Sequence, residues 1–119
     1  MYREFIQTSR TNYLIKKMTD LNKIQGFIYG YAIGDAIGVP YEFMPSESVK
    51  NAIENNGLLT SGGYHSQPFG TWSDDTSLTM ATVESLIYGN GVNLSDMSKR
   101  FINWYDVNYW SCGDVFDCG

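Results

Sequence analysis

One histidine, two cysteines and three prolines are all that the 119 residues hold of these types. Each scarcity removes a reading. A structural zinc site takes four ligands, mostly cysteine and histidine. Cys112, Cys118 and His65 fall short of that set. Two cysteines also rule out a disulfide-built scaffold. Basic residues are few: 8 Lys and Arg against 13 Asp and Glu give a formal net charge of -5. A nucleic-acid binder needs a positive surface to neutralise phosphates, so this balance argues against one. Long apolar runs are missing as well. The most apolar stretch, Ile24 to Val39, has Asp35 inside it. It is shorter than the roughly 20 residues a bilayer span requires, so no membrane helix is expected. The first residues mix Arg3, Glu4, Gln7 and Arg10 with apolar ones, unlike the apolar core of a secretory signal. The expectation is a reduced, cytoplasmic protein. Strand-like alternation of useful length is absent too, which leaves an all-α class.

What is present is a packed-protein composition, with 43% hydrophobic and 15% aromatic residues. Residues 1–20 read as an N-terminal extension or arm, and residues 21–119 as the patterned domain. Met18 precedes Thr19 and Asp20, either of which suits an N-cap. The spacing of Leu21, Ile24, Phe27, Ile28 and Tyr31 predicts a helix to about Ile37. Gly26, Gly30, Gly34 and Gly38 make a bare stripe on that helix. Close approach of another helix or of a ligand would explain it. Pro40 stops the helix. Ser46 is placed to cap a short helix through Ile53. A loop from Gly57 to Gly70 follows. Ser73 opens a second strong helix that Gly89 ends, and a third runs from about Leu94 to Asn108 behind Asn93 and Asp96.

Two segments hold the chemistry. In GTWSDDTSLTMA, Gly70 to Ala81, a hydroxyl and two carboxylates stand together at a helix start: Ser73, Asp74 and Asp75. Clustered hard oxygens suit magnesium or manganese. Acidic residues in a first helical turn are also ordinary, because the helix dipole favours them. In GYAIGDAIGVPYEF, Gly30 to Phe43, Asp35 lies in an apolar, glycine-lined stretch and Glu42 follows the proline break. A carboxylate placed like Asp35 must be paired, hydrogen-bonded to a helix end or exposed at a pocket.

These two segments, with VFDCG at Val115 to Gly119, resemble the N-terminal signature of the ADP-ribosylglycohydrolase family, including its dinitrogenase reductase-activating branch. The resemblance covers Ile24 to Gly119. It implies the N-terminal portion of an orthogonal all-α helical bundle built around a two-metal site, usually magnesium, with manganese as the other candidate. It places metal ligation on Ser73, Asp74 and Asp75. It places catalysis or gating near the ribose on Glu42, and an active-site role on Asp117. For Asp35 it implies a structural role, or one behind the metal ligands. Cys118 stands where the family's Phe-Asp-Ile-Gly motif has isoleucine. The family's second cluster, Asp-x-Asp-Thr/Ser, has no counterpart among these residues. The resemblance therefore implies an incomplete site.

Three readings follow. The first is hydrolysis of the bond between ADP-ribose and a modified side chain or small molecule, by an enzyme of which this is a part. The second is a catalytically inactive truncated homologue with a structural role, since fold alone does not confer activity. The third is a module that binds ADP-ribose without cleaving it. Apolar faces around Leu78 and Phe101, normally covered by further helices, would promote self-association.

Overall fold

In the computed structural model, which describes residues 2–118 with side chains from residue 16 onward, the chain is helical throughout its regular structure. Helix α1 spans Tyr2–Gly38. A 3-10 turn, Val39–Tyr41, follows. Helices α2 (Ser46–Asn56), α3 (Asp74–Tyr88) and α4 (Leu94–Val107) complete the order. Among the described residues the sole β feature is one isolated bridge, Gly62 to Gln67. The expected all-α class holds.

Contacts divide the chain into two units, Met1–Tyr31 and Ala32–Gly119. The first unit is helix alone. It shows no N-cap at Thr19 or Asp20, because α1 is already running there. Once a helix has nucleated upstream, each further residue adds a hydrogen bond, and an internal cap signal is overridden. Asp20 instead pairs loosely with Lys23 one turn on, at 4.0 Å. Phe27 and Tyr31, also one turn apart, bring their rings within 5.8 Å. Of the proposed arm, the side chains of residues 1–15 lie outside the described residues. The glycine stripe differs from expectation within the second unit: among its described residues, nothing lies within 4 Å of a Cβ built on Gly34 or Gly38.

In the second unit α3 packs on α4. The capping chemistry decides where these helices begin. Ser73 accepts a hydrogen bond from the Asp75 amide, and Asn93 accepts one from the Asp96 amide. Asp96 does not reach back to close a capping box. Its carboxylate takes Arg100 at 2.7 Å instead. Helix α2 starts at Ser46 as expected, but Pro45 holds the cap position and no side chain caps it. The interior is small and partly polar. Val39, Ala81 and Trp104 are buried beside Ser73, Thr76, Ser77 and Ser85. Leu86, Ile87, Ile102 and Val107 stay exposed on α3 and α4.

A polar latch joins α3, α4 and the segment after it. Glu84 receives Arg100 at 2.6 Å, the Tyr109 hydroxyl at 2.8 Å and the Trp110 indole at 3.1 Å. Burial raises the Glu84 carboxyl, but the hydrogen bonds from Trp110, Tyr109 and Arg100 outweigh it and hold it below the usual carboxylate range. A group held lower in the folded state contributes stability above its unfolded pKa. That contribution is lost as pH falls through the folded value. Acidification from pH 6 should therefore lower the melting temperature, and Glu84→Gln should flatten that slope. Thermal melts of both proteins across the acid range check this. Parallel slopes would show that the latch is not part of the acid response.

Candidate functional site at the start of α3

The site is assembled from four pieces of the second unit. The first is the end of α1. Pro40 cannot continue an α-helix, and here it sits at the start of the 3-10 turn. Val39 and Pro40 are buried, which anchors the turn. Tyr41 donates its hydroxyl to the carbonyls of Gly57 and Leu58, at 3.1 and 3.0 Å. Glu42 leaves this turn in extended geometry and Phe43 follows in the left-handed region, at φ 60°. Glu42 is thus held by a fixed backbone rather than a free loop.

Asp35, in the last turns of α1, organises the second piece. Its Oδ2 accepts the Ser73 amide at 3.0 Å, the Thr76 amide at 3.0 Å and the Thr76 hydroxyl at 2.6 Å. Its Oδ1 accepts the Ser73 hydroxyl at 2.8 Å. The amide groups of a first helical turn have no partner within the helix. Asp35 supplies one from outside, with a negative charge where the dipole favours it. That geometry fits the expected structural role. It also fixes the direction in which Asp74 and Asp75 leave the helix.

Ser73 is buried, and its hydroxyl is partly committed: it donates to Asp35 and accepts from the Asp75 amide at 3.2 Å. One lone pair remains. Asp74 is half-buried and Asp75 exposed.

The third piece is the segment after α4. The Trp110 carbonyl accepts from the Trp72 indole at 3.0 Å and from the Ser77 hydroxyl at 3.2 Å. Asn108 clamps the loop beyond, accepting the Val115 amide at 3.3 Å. This brings Phe116 and Asp117 back to the start of α3. A shallow surface dip is lined here by Trp72, Ser73, Asp74, Trp104 and Phe116 among others.

The fourth piece was missed in the sequence. The 62–67 loop places His65 Nε2 at 2.8 Å from Glu42 Oε2 and 3.7 Å from Asp117 Oδ2. Gly63 makes the approach feasible. It sits at φ 69°, and a Cβ there would lie 2.7 Å from the Pro40 Cα and carbonyl carbon. Backbone atoms cannot swing aside. Gly63→Ala should cost about 1–3 kcal/mol through this overlap and should loosen His65 from Glu42. An unchanged urea midpoint would show that the loop is not seated on the Pro40 turn.

Charge knits the pieces together. Burial pushes the Glu42 carboxyl above its ordinary value, the His65 hydrogen bond opposes this, and the Asp117 charge adds to it. Burial also raises Asp74, and the charges of Asp117 and Asp75 raise it further. Asp117 therefore acts on both Glu42 and Asp74. Of the residues expected from the sequence, Glu42 and Asp117 come together on His65, Asp74 feels the Asp117 charge from the first turn of α3, Asp75 stays exposed there, and Asp35 stands behind Ser73. Carboxylates gathered near one another are a donor set that a hard divalent cation would relieve.

Fold and site define a helical protein with an acidic cluster, joined by one imidazole, at a helix N-terminus. The sequence profile of the ADP-ribosylglycohydrolase family matches residues 16–119, and the chain belongs to that family. It is 34% identical over 107 residues to the ADP-ribosylarginine hydrolase Tri1 of Serratia proteamaculans, covering 89% of this chain and 28% of that protein. It is 28% identical over 100 residues to the Tri1 of Pseudomonas putida, covering 83% of this chain and 26% of that one. To the ADP-ribosyl-[dinitrogen reductase] glycohydrolase of Rhodospirillum rubrum it is 29% identical over 79 residues, covering 66% and 27%. The chain thus spans little more than a quarter of these relatives' length. No solved structure matches it. No helix among the described residues is long and apolar enough to cross a membrane.

Proposed function

We propose that these residues form one wall of a metal-dependent site that hydrolyses the bond between C1'' of ADP-ribose and an acceptor atom, in a protein that supplies the remaining ligands. The observation that carries this is the convergence of Glu42, His65 and Asp117 from separate segments, beside the α3 start where Asp74 and Phe116 line the same surface dip. Asp74 and Asp75, with the open lone pair of Ser73, would hold magnesium or manganese. A metal pair bound there supplies Lewis acidity and orientation of the ribose hydroxyls. The chain's own part is proton handling. Glu42 Oε2, raised by burial and by Asp117 and hydrogen-bonded to His65, is placed to hold or take a proton near the reacting bond. Asp35 keeps the metal ligands aimed. The substrate class follows the relatives: an arginine ADP-ribosylated on a protein, or a small molecule so modified.

A second reading is a structural or ADP-ribose-binding protein without turnover, since fold alone does not confer activity. The two separate in a release assay on ADP-ribosylated arginine with magnesium. The 119 residues alone should give no turnover, because oxygen ligands stand on one side only. A chimera, with this chain in place of the matching residues of the Serratia hydrolase, should release ADP-ribose. A folded but silent chimera that still binds ADP-ribose would favour the second reading.

A further inference from the structure

His65, Glu42 and Asp117 each offer one ligand atom, and all three atoms lie within 4.8 Å of one another. We propose that they form a site for a borderline transition-metal ion of the zinc class, separate from the hard-cation ligands Asp74 and Asp75. The binding does not depend on the hydrolase reading.

The argument starts from donors. Imidazole suits zinc, cobalt, nickel and copper, whereas magnesium keeps to oxygen. Zinc bonds to nitrogen and carboxylate oxygen run about 2.0–2.2 Å, which places neighbouring ligand atoms roughly 3–3.5 Å apart. The observed separations from His65 Nε2, 2.8 Å to Glu42 and 3.7 Å to Asp117, bracket that spacing. Three protein ligands leave the fourth position to water, as in open zinc sites.

The pocket is built rather than incidental. The His65 side chain is only 10% exposed, against 27% for Glu42 and 25% for Asp117. Phe116, Tyr64 and Phe43 stand around the imidazole, with ring centroids at 5.0, 5.2 and 5.9 Å. That fixes the ring's orientation before any ion arrives, and orientation is what supporting groups give a metal ligand. Positive charge is also short here. Nε2 carries at most one proton, so it can donate to Glu42 or to Asp117 but not to both. Among the described residues the ion pairs of Lys and Arg lie elsewhere, Lys23 with Asp20 and Arg100 with Glu84 and Asp96. A divalent ion answers both carboxylates. Binding requires Nε2 without a proton and exchanges its hydrogen bond to Glu42 for a metal bond. On the hydrolase reading, an ion here occupies Glu42 and Asp117 and so inhibits.

His65 is the single histidine of the sequence, so its ring protons give a unique pair of NMR signals. The test titrates zinc into the full chain with Cys112→Ser and Cys118→Ser, which removes competing thiols. Zinc should shift the His65 signals to saturation at one equivalent, and an excess of magnesium should not reverse it. Glu42→Gln and Asp117→Asn should each weaken binding at least about tenfold, with helical circular dichroism retained. The result that overturns the site is His65 signals that stay put under excess zinc, or binding that neither carboxylate variant weakens. The hydrolase reading is tested with magnesium or manganese and Asp74, so the two can fail separately.

Discussion

Asp35→Ala should destabilise the second unit by about 3 kcal/mol or more, the largest stability loss expected from any carboxylate in it. The side chain accepts four hydrogen bonds, two from amides and two from hydroxyls, all at the first turn of α3. Hydrogen bonds to a charged group are worth roughly 1.5–3 kcal/mol each and do not add in full. The groups left behind set the cost. Thr76 is fully buried and Ser73 nearly so, so water cannot readily replace the carboxylate. Asp35→Asn keeps one acceptor oxygen and should cost distinctly less. Urea unfolding followed by circular dichroism reads both. Equal, small losses would mean that α3 caps itself through Ser73 and needs no help from α1. For a unit of this size, about 3 kcal/mol corresponds to a melting-point drop of more than about 10 °C.

The largest activity effect should come from Asp74→Asn in the active chimera: a fall in turnover of about 100-fold or more, with the fold intact. The substitution leaves the helix start unchanged in shape. Ser73 still caps through the Asp75 amide, and Asp35 still holds Ser73 and Thr76. What it removes is a charge from a cluster in which Asp117 and Asp75 already press on Asp74. Without a metal, that removal should be neutral or mildly stabilising, because it relieves repulsion. With magnesium it should be costly. A variant that keeps full turnover would remove Asp74 from the metal's ligands.

Much of the fold is legible in the sequence because local chemistry fixes it. Ser73 and Asn93 cap α3 and α4 where their positions suggest, and Gly89 ends α3. The start of α1 is not legible in this way: Thr19 and Asp20 have cap chemistry but lie inside a longer helix. The glycine stripe suggests close packing, yet among the described residues of the second unit nothing stands within 4 Å of a Cβ built on Gly34 or Gly38. Spacing reveals which face is bare, not what comes to meet it.

The carboxylates expected for the site come from a resemblance to a family, and of these Asp35 is the one whose hydrogen bonds to the start of α3 the structure shows. His65 is not legible in that resemblance. Its partner Glu42 lies 23 residues away, and the seating of Gly63 on Pro40 and of Phe43 on Tyr64 brings them together. Counting soft ligands dismisses a lone histidine. The pattern that marks it is a histidine in a glycine-led turn, Gly62 to His65, ahead of an acidic helix start.

The account rests on Asp74 and Asp75 as ligands for a hard cation, and manganese reports on this directly through its paramagnetic resonance spectrum. Titrating manganese into the 119-residue chain, with and without Asp74→Asn and Asp75→Asn, should show bound ion for the parent, displaced by magnesium. Each variant should weaken binding by at least about tenfold, while His65→Ala leaves it nearly unchanged. Equal manganese affinity in the parent and in both aspartate variants would contradict the account.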